Sequence, residues 1–320
     1  MPVDERLLLA HRRFEDAAAG YSEEFVQPVI GGARTVAVLA RPLGPAHPVG
    51  WVILHSFGLE QMHLSRLDVI VARTMAAAGF PVLRFHGQGY GDSERTAEPI
   101  GLTSHLADAT DAVALMAGRD GVERVGVLGA RFGGTVAALV ADRERLPFMS
   151  LWEPMARGSQ YMRDVLRTRV FAEMVGKSEE AGASQMEQLR AELADQGWSD
   201  IKGFLLTREA NEEIAAVDLS KDLGHFGGRA LVVGVSRTGK PSAGLSKLTQ
   251  RLDDLGATCS LVMLQDLLAV QFGSFHFQTT DGGRAKVDTQ YELNAQIAQA
   301  TTRWAVEALY ASPALQGGRP

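Results

Sequence analysis

Short apolar segments alternate with amphipathic helical segments along most of this 320-residue chain. Few polar residues interrupt the apolar segments, which is typical of strands covered by helices on both faces. Strands that alternate with helices in this way form parallel βαβ units, so the pattern predicts a mostly parallel, doubly wound α/β sheet of about eight strands. The predicted strands are residues 25–30, 35–40, 51–55, 81–85, 125–128, 148–152, 230–235 and 260–264; the predicted helices of this part are residues 4–19, 67–78, 102–116, 135–142, 242–255 and 291–310.

The alternation stops between residues 157 and 223, where helical segments follow one another with no convincing strand between them. Ser184 and Glu187 have the form of a capping box and predict that one of these helices begins at residue 184. A helical insertion after the sixth strand predicts a lid over the strand ends. The predicted parts are a core of residues 1–156 and 224–320 and a lid of residues 157–223, whose helices are residues 159–174, 184–196 and 211–216.

Composition excludes several classes of protein. The 32 Lys and Arg residues against 38 Asp and Glu residues give a net charge of -6, which does not favour nucleic acid or an anionic membrane as a partner. Cys259 is the one cysteine, so the chain has no internal disulfide, and a cysteine-based metal site is not expected. No apolar run approaches 18 residues, and Asp4 and Glu5 lie where a signal peptide is basic. We predict a cytoplasmic protein without cofactor or metal, whose partner is a small molecule; a homodimer is an open alternative.

Four loops that follow predicted strands carry unusual residues. Ligands of open α/β sheets bind beyond the carboxyl ends of the strands, so these loops mark the candidate site. The loops are His55-Ser56-Phe57-Gly58 after the third strand, 84–93 after the fourth, Gly129-Ala130-Arg131-Phe132-Gly133 between the fifth strand and its helix, and Gly273-Ser274-Phe275-His276 after the last strand.

These loops together resemble the α/β-hydrolase superfamily over nearly the whole chain. Two segments, F-G-L-E-Q-M-H-L-S-R at 57–66 and R-G-S-Q-Y-M-R-D-V-L-R at 157–167, are similar to hydrolase-like proteins associated with exosortase systems. One type of those proteins also carries G-x-R-x-G. The function of that group is poorly defined, so the resemblance implies the fold and says little about the substrate.

The resemblance also implies roles for single residues. The superfamily displays a serine in a G-x-S-x-G elbow, and here the central residue is Arg131. His276 lies where the catalytic histidine is expected. The usual aspartate after the seventh strand is missing, and Arg237 lies in that stretch. Glu153, at the end of the sixth strand, is then the candidate to orient His276; alternatively it pairs with a lid arginine such as Arg157.

Arginine cannot replace the serine as a nucleophile, because its guanidinium stays protonated and has no acceptor. It can hold an anion in a bidentate pair, and a helix N-terminus adds to that attraction. The backbone N–H groups of Phe132 and of the Ser56–Phe57 loop, with His55 beside them, are predicted to complete an oxyanion pocket. Ser56 as a substitute nucleophile is the alternative, and Glu60 is predicted to serve in helix capping and a salt bridge.

These residues predict an enzyme that works without a serine nucleophile on a small acyl- or ester-bearing anion. His276 would act as general base and Arg131 would neutralise the developing anion. Elimination, a lyase reaction in secondary-metabolite tailoring, is the first reaction type. The alternatives are ester hydrolysis by a water that His276 activates, and a pseudo-hydrolase that binds a carboxylate ligand without turnover.

Overall fold

Thirteen strands and nine helices lie in the part of the chain that the computed structural model describes, residues 12–95, 99–173, 179–201, 203–265 and 283–311. The strands are β1 (Arg13–Asp16), β2 (Tyr21–Val26), β3 (Val29–Ile30), β4 (Ala33–Arg34), β5 (Ala37–Pro42), β6 (Val49–Leu54), β7 (Val82–Phe85), β8 (Arg124–Ala130), β9 (Phe148–Trp152), β10 (Trp198–Ile201), β11 (Phe204–Thr207), β12 (Arg229–Ser236) and β13 (Thr258–Gln265). The helices are α1 (Leu59–Ala77), α2 (Leu102–Ala117), α3 (Arg131–Arg143), α4 (Gly158–Glu173), α5 (Glu179–Gln196), α6 (Arg208–Ala216), α7 (Leu219–Asp222), α8 (Ala243–Asp254) and α9 (Gly283–Tyr310).

Nine of the strands form one sheet in the order β1-β2-β5-β7-β6-β8-β9-β12-β13. From β7 to β13 all neighbours pair in parallel, whereas β1, β2 and β5 pair antiparallel at the other edge. The mostly parallel α/β sheet that the sequence predicts is therefore confirmed, with one strand more than the predicted eight. The carboxyl ends of the parallel strands β7, β6 and β8 lie at one edge, where three of the four predicted loops begin; the loop at 273–276 lies outside the described residues.

Each face of the sheet carries its own apolar core. One core lies under α1 and α9 and includes Trp51, Trp152 and Trp304. The other lies under α2, α3 and α8 and continues into the helices between β9 and β12, with Phe132 and Tyr161 among its members. Because both faces are covered, the central strands are apolar on both sides, as their sequences indicate.

The helix predicted for residues 4–19 is wrong at its carboxyl half. Arg13–Asp16 is a strand, paired antiparallel with β2, and residues 1–11 lie outside the described residues. The chain reverses between these strands, because Gly20 takes a φ of 82° and Asp16 Oδ1 accepts a hydrogen bond from the Ala19 N–H at 2.9 Å. A charged strand suits the edge of a sheet, where it discourages pairing with another chain.

The predicted absence of strands in the insertion is also wrong. β10 and β11 form an antiparallel hairpin, in which Ser199 and Ile201 are buried while Trp198 and Asp200 are exposed. Gly203, at a φ of 84°, forms the turn. This alternation has the period of a strand, but four residues are too few to stand out from the helical segments around them.

The boundaries of three helices differ from the prediction. α5 begins at Glu179, so Ser184 lies inside the helix and does not cap it. α1 begins at Leu59 and not at the predicted residue 67, and α3 begins at Arg131 and not at the predicted residue 135. Both earlier starts bring polar residues of the loops onto the first turn of a helix.

The two ends of the insertion meet beside the sheet. Arg157 and Asp218 form an isolated antiparallel bridge, and the Gly158 N–H donates to the Val217 carbonyl at 2.8 Å. A β-carbon at Gly158 would come within 1.6 Å of the Ile214 carbonyl oxygen, so glycine is needed for this close approach. The division into a core and a lid at residues 157–223 stays a prediction.

Two further findings concern the described residues alone. None of the helices there is both long and apolar enough to cross a membrane. No group of three histidine, cysteine, aspartate or glutamate side chains there could hold a metal ion.

Candidate functional site

The turn from β8 into α3 holds Arg131 in a left-handed conformation. Its φ is 51°, a region that costs a non-glycine residue of order 1–3 kcal/mol. A β-carbon on Gly133 would lie 2.1 Å from the Leu54 carbonyl oxygen, and one on Gly129 would lie 2.6 Å from the Gly133 backbone. The two glycines therefore let α3 start directly against β6, and this tight turn displays the Arg131 side chain.

Arg131 belongs to a cluster with Glu60 and Tyr161. The Arg131 Nε donates to Glu60 Oε1 at 3.3 Å, and the Tyr161 hydroxyl donates to Glu60 Oε2 at 2.8 Å. The guanidinium carbon also lies 5.8 Å from the centre of the Tyr161 ring. One carboxylate thus joins the elbow to the helix α4 of the insertion.

The electrostatics of this cluster follow from its burial. Burial raises the pKa of the Glu60 carboxyl, while the charge of Arg131 and the Tyr161 hydroxyl oppose that rise. Burial alone would lower the pKa of Arg131, but the charge of Glu60 offsets this and the pKa lies above its ordinary value. The guanidinium therefore stays charged, and in the described part of the chain its two Nη atoms have no hydrogen-bond partner.

A cavity of about 380 Å³ opens beside Arg131. It lies between the ends of β8 and β9, the start of α4 and the start of α8. Glu153 lines it with a φ of 44°, and the Glu153 Oε2 accepts a hydrogen bond from the Val235 N–H at 2.7 Å. Burial raises the pKa of Glu153. The polar residues on the wall are Arg131, Glu153, Arg157, Gln160, Tyr161, Asp164, Ser242 and Lys247.

The loop after β6 supports the elbow from below. The Ser56 hydroxyl donates to the Ala130 carbonyl at 2.6 Å and accepts from the Gly133 N–H at 3.4 Å. The Tyr90 hydroxyl accepts from the Gly58 N–H at 2.8 Å. Because the Ser56 proton is directed to a backbone carbonyl, this hydroxyl holds the turn together.

Comparison with solved structures identifies the architecture. Est1E from Butyrivibrio proteoclasticus, with ferulic acid bound, is 18% identical at a TM-score of 0.59, over 87% of this chain and 97% of that one. An esterase of Pyrobaculum calidifontis is 19% identical at a TM-score of 0.50, over 89% of this chain and 85% of that one. A hypothetical protein of Pseudomonas aeruginosa is 13% identical at a TM-score of 0.53, over 88% of this chain and 96% of that one.

The chain has the α/β-hydrolase fold. Identities this low show the fold alone. Protein-family models give no match, and neither does a comparison with curated proteins. The similarity to exosortase-associated proteins therefore stays a prediction from the two sequence segments that suggested it.

The predicted site residues do not all lie at one cavity. Arg131 and Glu153 line the same cavity. Phe57 and Phe132 are buried with ring centres 5.5 Å apart and do not line it. Arg237 is exposed after the end of β12 and is not part of the cavity wall. Their roles in binding stay predictions.

His55 lies apart from Arg131 and Glu153, and nothing in the described residues places His276. The His55 ring is buried among Phe85, Tyr90 and His105 and does not line the cavity at Arg131. His276 lies outside the described residues. The general base therefore stays a prediction from the sequence.

Sequence reasoning missed Tyr161 and the part that Glu60 plays. Glu60 was predicted to form a salt bridge, but not with the elbow. Tyr161 lies within R-G-S-Q-Y-M-R, one of the two segments that carried the resemblance, so that segment was a pointer to it. The contact joins residues 101 positions apart, and one sequence contains nothing that reports such a distance.

We expect Tyr161→Phe to lower the free energy of unfolding by about 2 kcal/mol, because it removes a hydrogen bond to a buried carboxylate. Equilibrium unfolding in urea measures the change. Tyr310→Phe is the matched control, since that side chain is 64% exposed, and it should change stability by less than about 0.5 kcal/mol. Equal effects of the two substitutions would show that the Tyr161 hydroxyl does not stabilise the cluster.

Proposed function

We propose that this protein is an enzyme of the α/β-hydrolase fold that works without a serine nucleophile on a small anionic molecule carrying an ester or acyl group. One observation carries the proposal. The residue at the elbow is an arginine, which Glu60 anchors through Nε and which lines a cavity of about 380 Å³. The fork of a guanidinium suits a carboxylate, which it can hold through two parallel hydrogen bonds.

The chemistry of the elbow favours catalysis without a covalent intermediate. Arginine has no lone pair for attack, and the nearby Ser56 hydroxyl is committed to the Ala130 carbonyl. A bound anion at Arg131 would leave the acyl carbon near the first turn of α3, where the Phe132 N–H has no partner within the helix. That N–H is the candidate for stabilising an oxyanion.

Elimination is the reaction that we propose first. His276, the base predicted from the sequence, takes a proton from carbon; the electron pair of that C–H bond forms a double bond, and the C–O bond to the acyl group breaks. The leaving carboxylate takes the electron pair of the C–O bond, and Arg131 neutralises its charge. Hydrolysis by an activated water is the alternative: water adds to the acyl carbon while its proton passes to His276, the acyl C–O bond then breaks, and the alcohol leaves with the proton that His276 returns.

A binding protein without turnover is the second candidate. It is favoured by the pairing of Arg131 with Glu60, since this ion pair gives the elbow a fixed anion-binding group and no reactive one. Arg157 and Lys247 on the wall of the cavity add positive charge to the same pocket.

Arg131→Ala tests the anion site directly. We expect the affinity for benzoate, measured by isothermal titration calorimetry, to fall at least about tenfold, because the charge-assisted pair is lost. Arg131→Lys should retain part of the affinity, since it keeps the charge and loses the fork. Arg143→Ala, at the exposed far end of the same helix, is the control and should bind benzoate like the unaltered protein.

A panel of acyl esters then separates the candidates. In water enriched in oxygen-18, hydrolysis places the label in the released acid, whereas elimination gives an unlabelled acid and an alkene. A substrate whose turnover survives both Arg131→Ala and His276→Ala would exclude the proposed mechanism. Benzoate binding that depends on Arg131, without turnover of any ester, would establish the binding protein instead.

A fluorophosphonate probe tests the absence of a serine nucleophile. We expect no labelling of the unaltered protein. Labelling at Ser56 or Ser274 would reject the proposal in favour of covalent catalysis.

A further inference from the structure

A second cavity, of about 360 Å³, lies between α1 and the strands β5, β6 and β7. It shares no lining residue with the cavity at Arg131. Nothing in the function proposed above uses it. Its walls combine apolar side chains with two charged groups that are not paired with each other.

Asp68 is the first of these groups. It lies on α1, lines the cavity and makes no hydrogen bond or ion pair with any described residue. Burial raises the pKa of its carboxyl to about 7, and the charge of Arg84 opposes that rise. A partly buried carboxylate without a partner is costly, so this group favours a ligand that donates hydrogen bonds or carries a positive charge.

Arg84 is the second group. It lies on β7, and its Nη2 donates to Glu23 Oε1 at 2.7 Å. Glu23 is buried and also accepts from Arg73 Nη2 at 2.7 Å. One carboxylate therefore serves two guanidinium groups. The Arg84 Nη1 has no partner among the described residues, and the side chain is 22% exposed.

The rest of the lining divides into an apolar wall and a set of polar side chains, which are His55, Gln61, Ser65, Arg66, His86 and Asp92. The apolar wall consists of Phe25, Val36, Ala37, Val38, Ile53, Val69 and Phe85. Arg66 and Asp92 are exposed at the rim, where Asp92 Oδ2 lies 3.4 Å from the His86 Nδ1. The cavity thus holds the carboxylate of Asp68 and the guanidinium of Arg84 against an apolar wall, while Arg66 and Asp92 lie exposed at the rim.

We propose that this cavity binds a zwitterionic α-amino acid with an apolar side chain. The ligand's ammonium group pairs with Asp68, its carboxylate pairs with Arg84, and its side chain packs on the apolar wall. A ligand with one charge alone would pair with one of these groups and lie beside the other, of the same sign as itself, whereas a zwitterion satisfies both. The cavity volume is in the range of small-molecule sites.

Three probes with nearly the same apolar body test this proposal. L-Leucine carries both charges, 4-methylpentanoate lacks the ammonium group, and 3-methylbutylamine lacks the carboxylate. Calorimetric titration of the full chain at pH 8, where Asp68 is ionised, measures each affinity. We expect L-leucine to bind at least about tenfold more tightly than either half-ligand, because each loses one charge-assisted pair. A half-ligand that binds as tightly as L-leucine, or no binding of L-leucine, would overturn the proposal.

Two substitutions assign the binding to these side chains. Asp68→Asn should lower the affinity for L-leucine at least about tenfold and should not lower the affinity for 4-methylpentanoate. Arg84→Lys keeps the positive charge next to Glu23 and loses the fork of the guanidinium. It should therefore lower the affinity for L-leucine and leave the affinity for 3-methylbutylamine unchanged. This variant also tests the proposal if Asp68→Asn fails to fold. Asp92→Asn removes a carboxylate from the rim and should change nothing. An equal effect of Asp92→Asn and Asp68→Asn would exclude specific pairing at Asp68.

Discussion

Replacing Gly133 with alanine is expected to destabilise the protein by at least about 3 kcal/mol, although alanine normally stabilises a helix relative to glycine. The added β-carbon would lie 2.1 Å from the Leu54 carbonyl oxygen and 3.0 Å from the His55 carbonyl oxygen. Both are backbone atoms of a central strand and the loop after it, so neither can move aside without displacing the sheet. The start of α3 must retreat instead.

The retreat of α3 would also disturb the anion site. The Gly133 N–H donates to the Ser56 hydroxyl, and that hydroxyl donates in turn to the Ala130 carbonyl. Moving the first turn of α3 breaks this connection and shifts Arg131 away from Glu60. We therefore expect Gly133→Ala to lower the affinity for benzoate as well as the stability of the fold.

Urea unfolding of Gly133→Ala measures the loss, with Gly44→Ala as the matched control. Gly44 is exposed, and a β-carbon there meets nothing within 4 Å. That control should lie within about 0.5 kcal/mol of the unaltered protein. If Gly133→Ala were as stable as Gly44→Ala, the close approach of α3 to β6 would not be what requires the glycine.

The same elbow shows how far the sequence alone leads. The G-x-R-x-G spacing between an apolar strand and a helix was enough to predict where Arg131 lies, because a tight strand-to-helix turn leaves a local pattern of glycines. The alternation of segments likewise predicted the sheet, since the periods of strands and helices are local properties. Both kinds of pattern are carried by neighbouring residues.

The partners of Arg131 could not be predicted in the same way. Glu60 was expected to cap the helix predicted from residue 67 and to form a salt bridge, whereas the helix begins at Leu59 and Glu60 pairs with Arg131. Tyr161 comes from the insertion, where helix packing and not periodicity decides which face turns inward. Arg237 was grouped with Arg131 by its place after a strand, but that strand ends in a turn in which the Ser236 hydroxyl donates to the Lys240 carbonyl, and Arg237 stays exposed.

His55 shows the same limit for a buried group. Its position after β6 suggested a place beside the bound anion. The ring instead packs against His105, with centres 4.9 Å apart, and His105 comes from α2, on the face of the sheet that the loop pattern does not report. The sequence analysis did not predict that these two histidines are in contact.

Stability is expected to fall steeply as the pH drops from about 6.5 towards 4, because His55 and His105 are buried in their neutral forms. Burial lowers the pKa of His55 to about 4 and that of His105 to about 3. A positive charge on a neighbouring histidine disfavours protonation of each ring further. The unfolded chain takes up protons near pH 6.5, where the folded protein does not. Folding is therefore favoured above the unfolded pKa, and this contribution is lost as the pH falls through the folded pKa values.

Burial is the main reason why the folded protein resists protonation, and the hydrogen bonds of His105 indicate which nitrogen already carries its proton. The His105 Nδ1 lies 2.7 Å from the Gly101 carbonyl oxygen, which can only accept, so Nδ1 carries the proton. The Nε2 then accepts from the Tyr90 hydroxyl at 3.4 Å, and that hydroxyl accepts from the Gly58 N–H. A second proton on His105 would turn this acceptor into a donor facing another donor. The two rings, which are both buried, would also bring like charges together.

Each histidine should contribute about 2 kcal/mol of lost stability between pH 7 and pH 5. His105→Asn tests this, because asparagine removes the titrating ring while its amide can still donate to the Gly101 carbonyl. The variant will be less stable at pH 7, where packing is lost, but its stability should fall by about 2 kcal/mol less on going to pH 5. Comparing variants at both pH values also separates the histidines from Asp68 and Asp108, whose raised pKa values act in the opposite direction.

The exposed His225 provides the control, since His225→Asn should leave the pH dependence of unfolding as it is in the unaltered protein. Parallel pH curves for His105→Asn and His225→Asn would mean that the buried ring already takes up its proton in the folded state. The elbow, the Tyr90 hydroxyl and the loop after β6 would then have to accommodate a cation. That loop also holds Ser56 next to Arg131. A low pH that destabilises the loop should therefore also disturb the anion site, so we expect benzoate affinity to fall together with stability below pH 6.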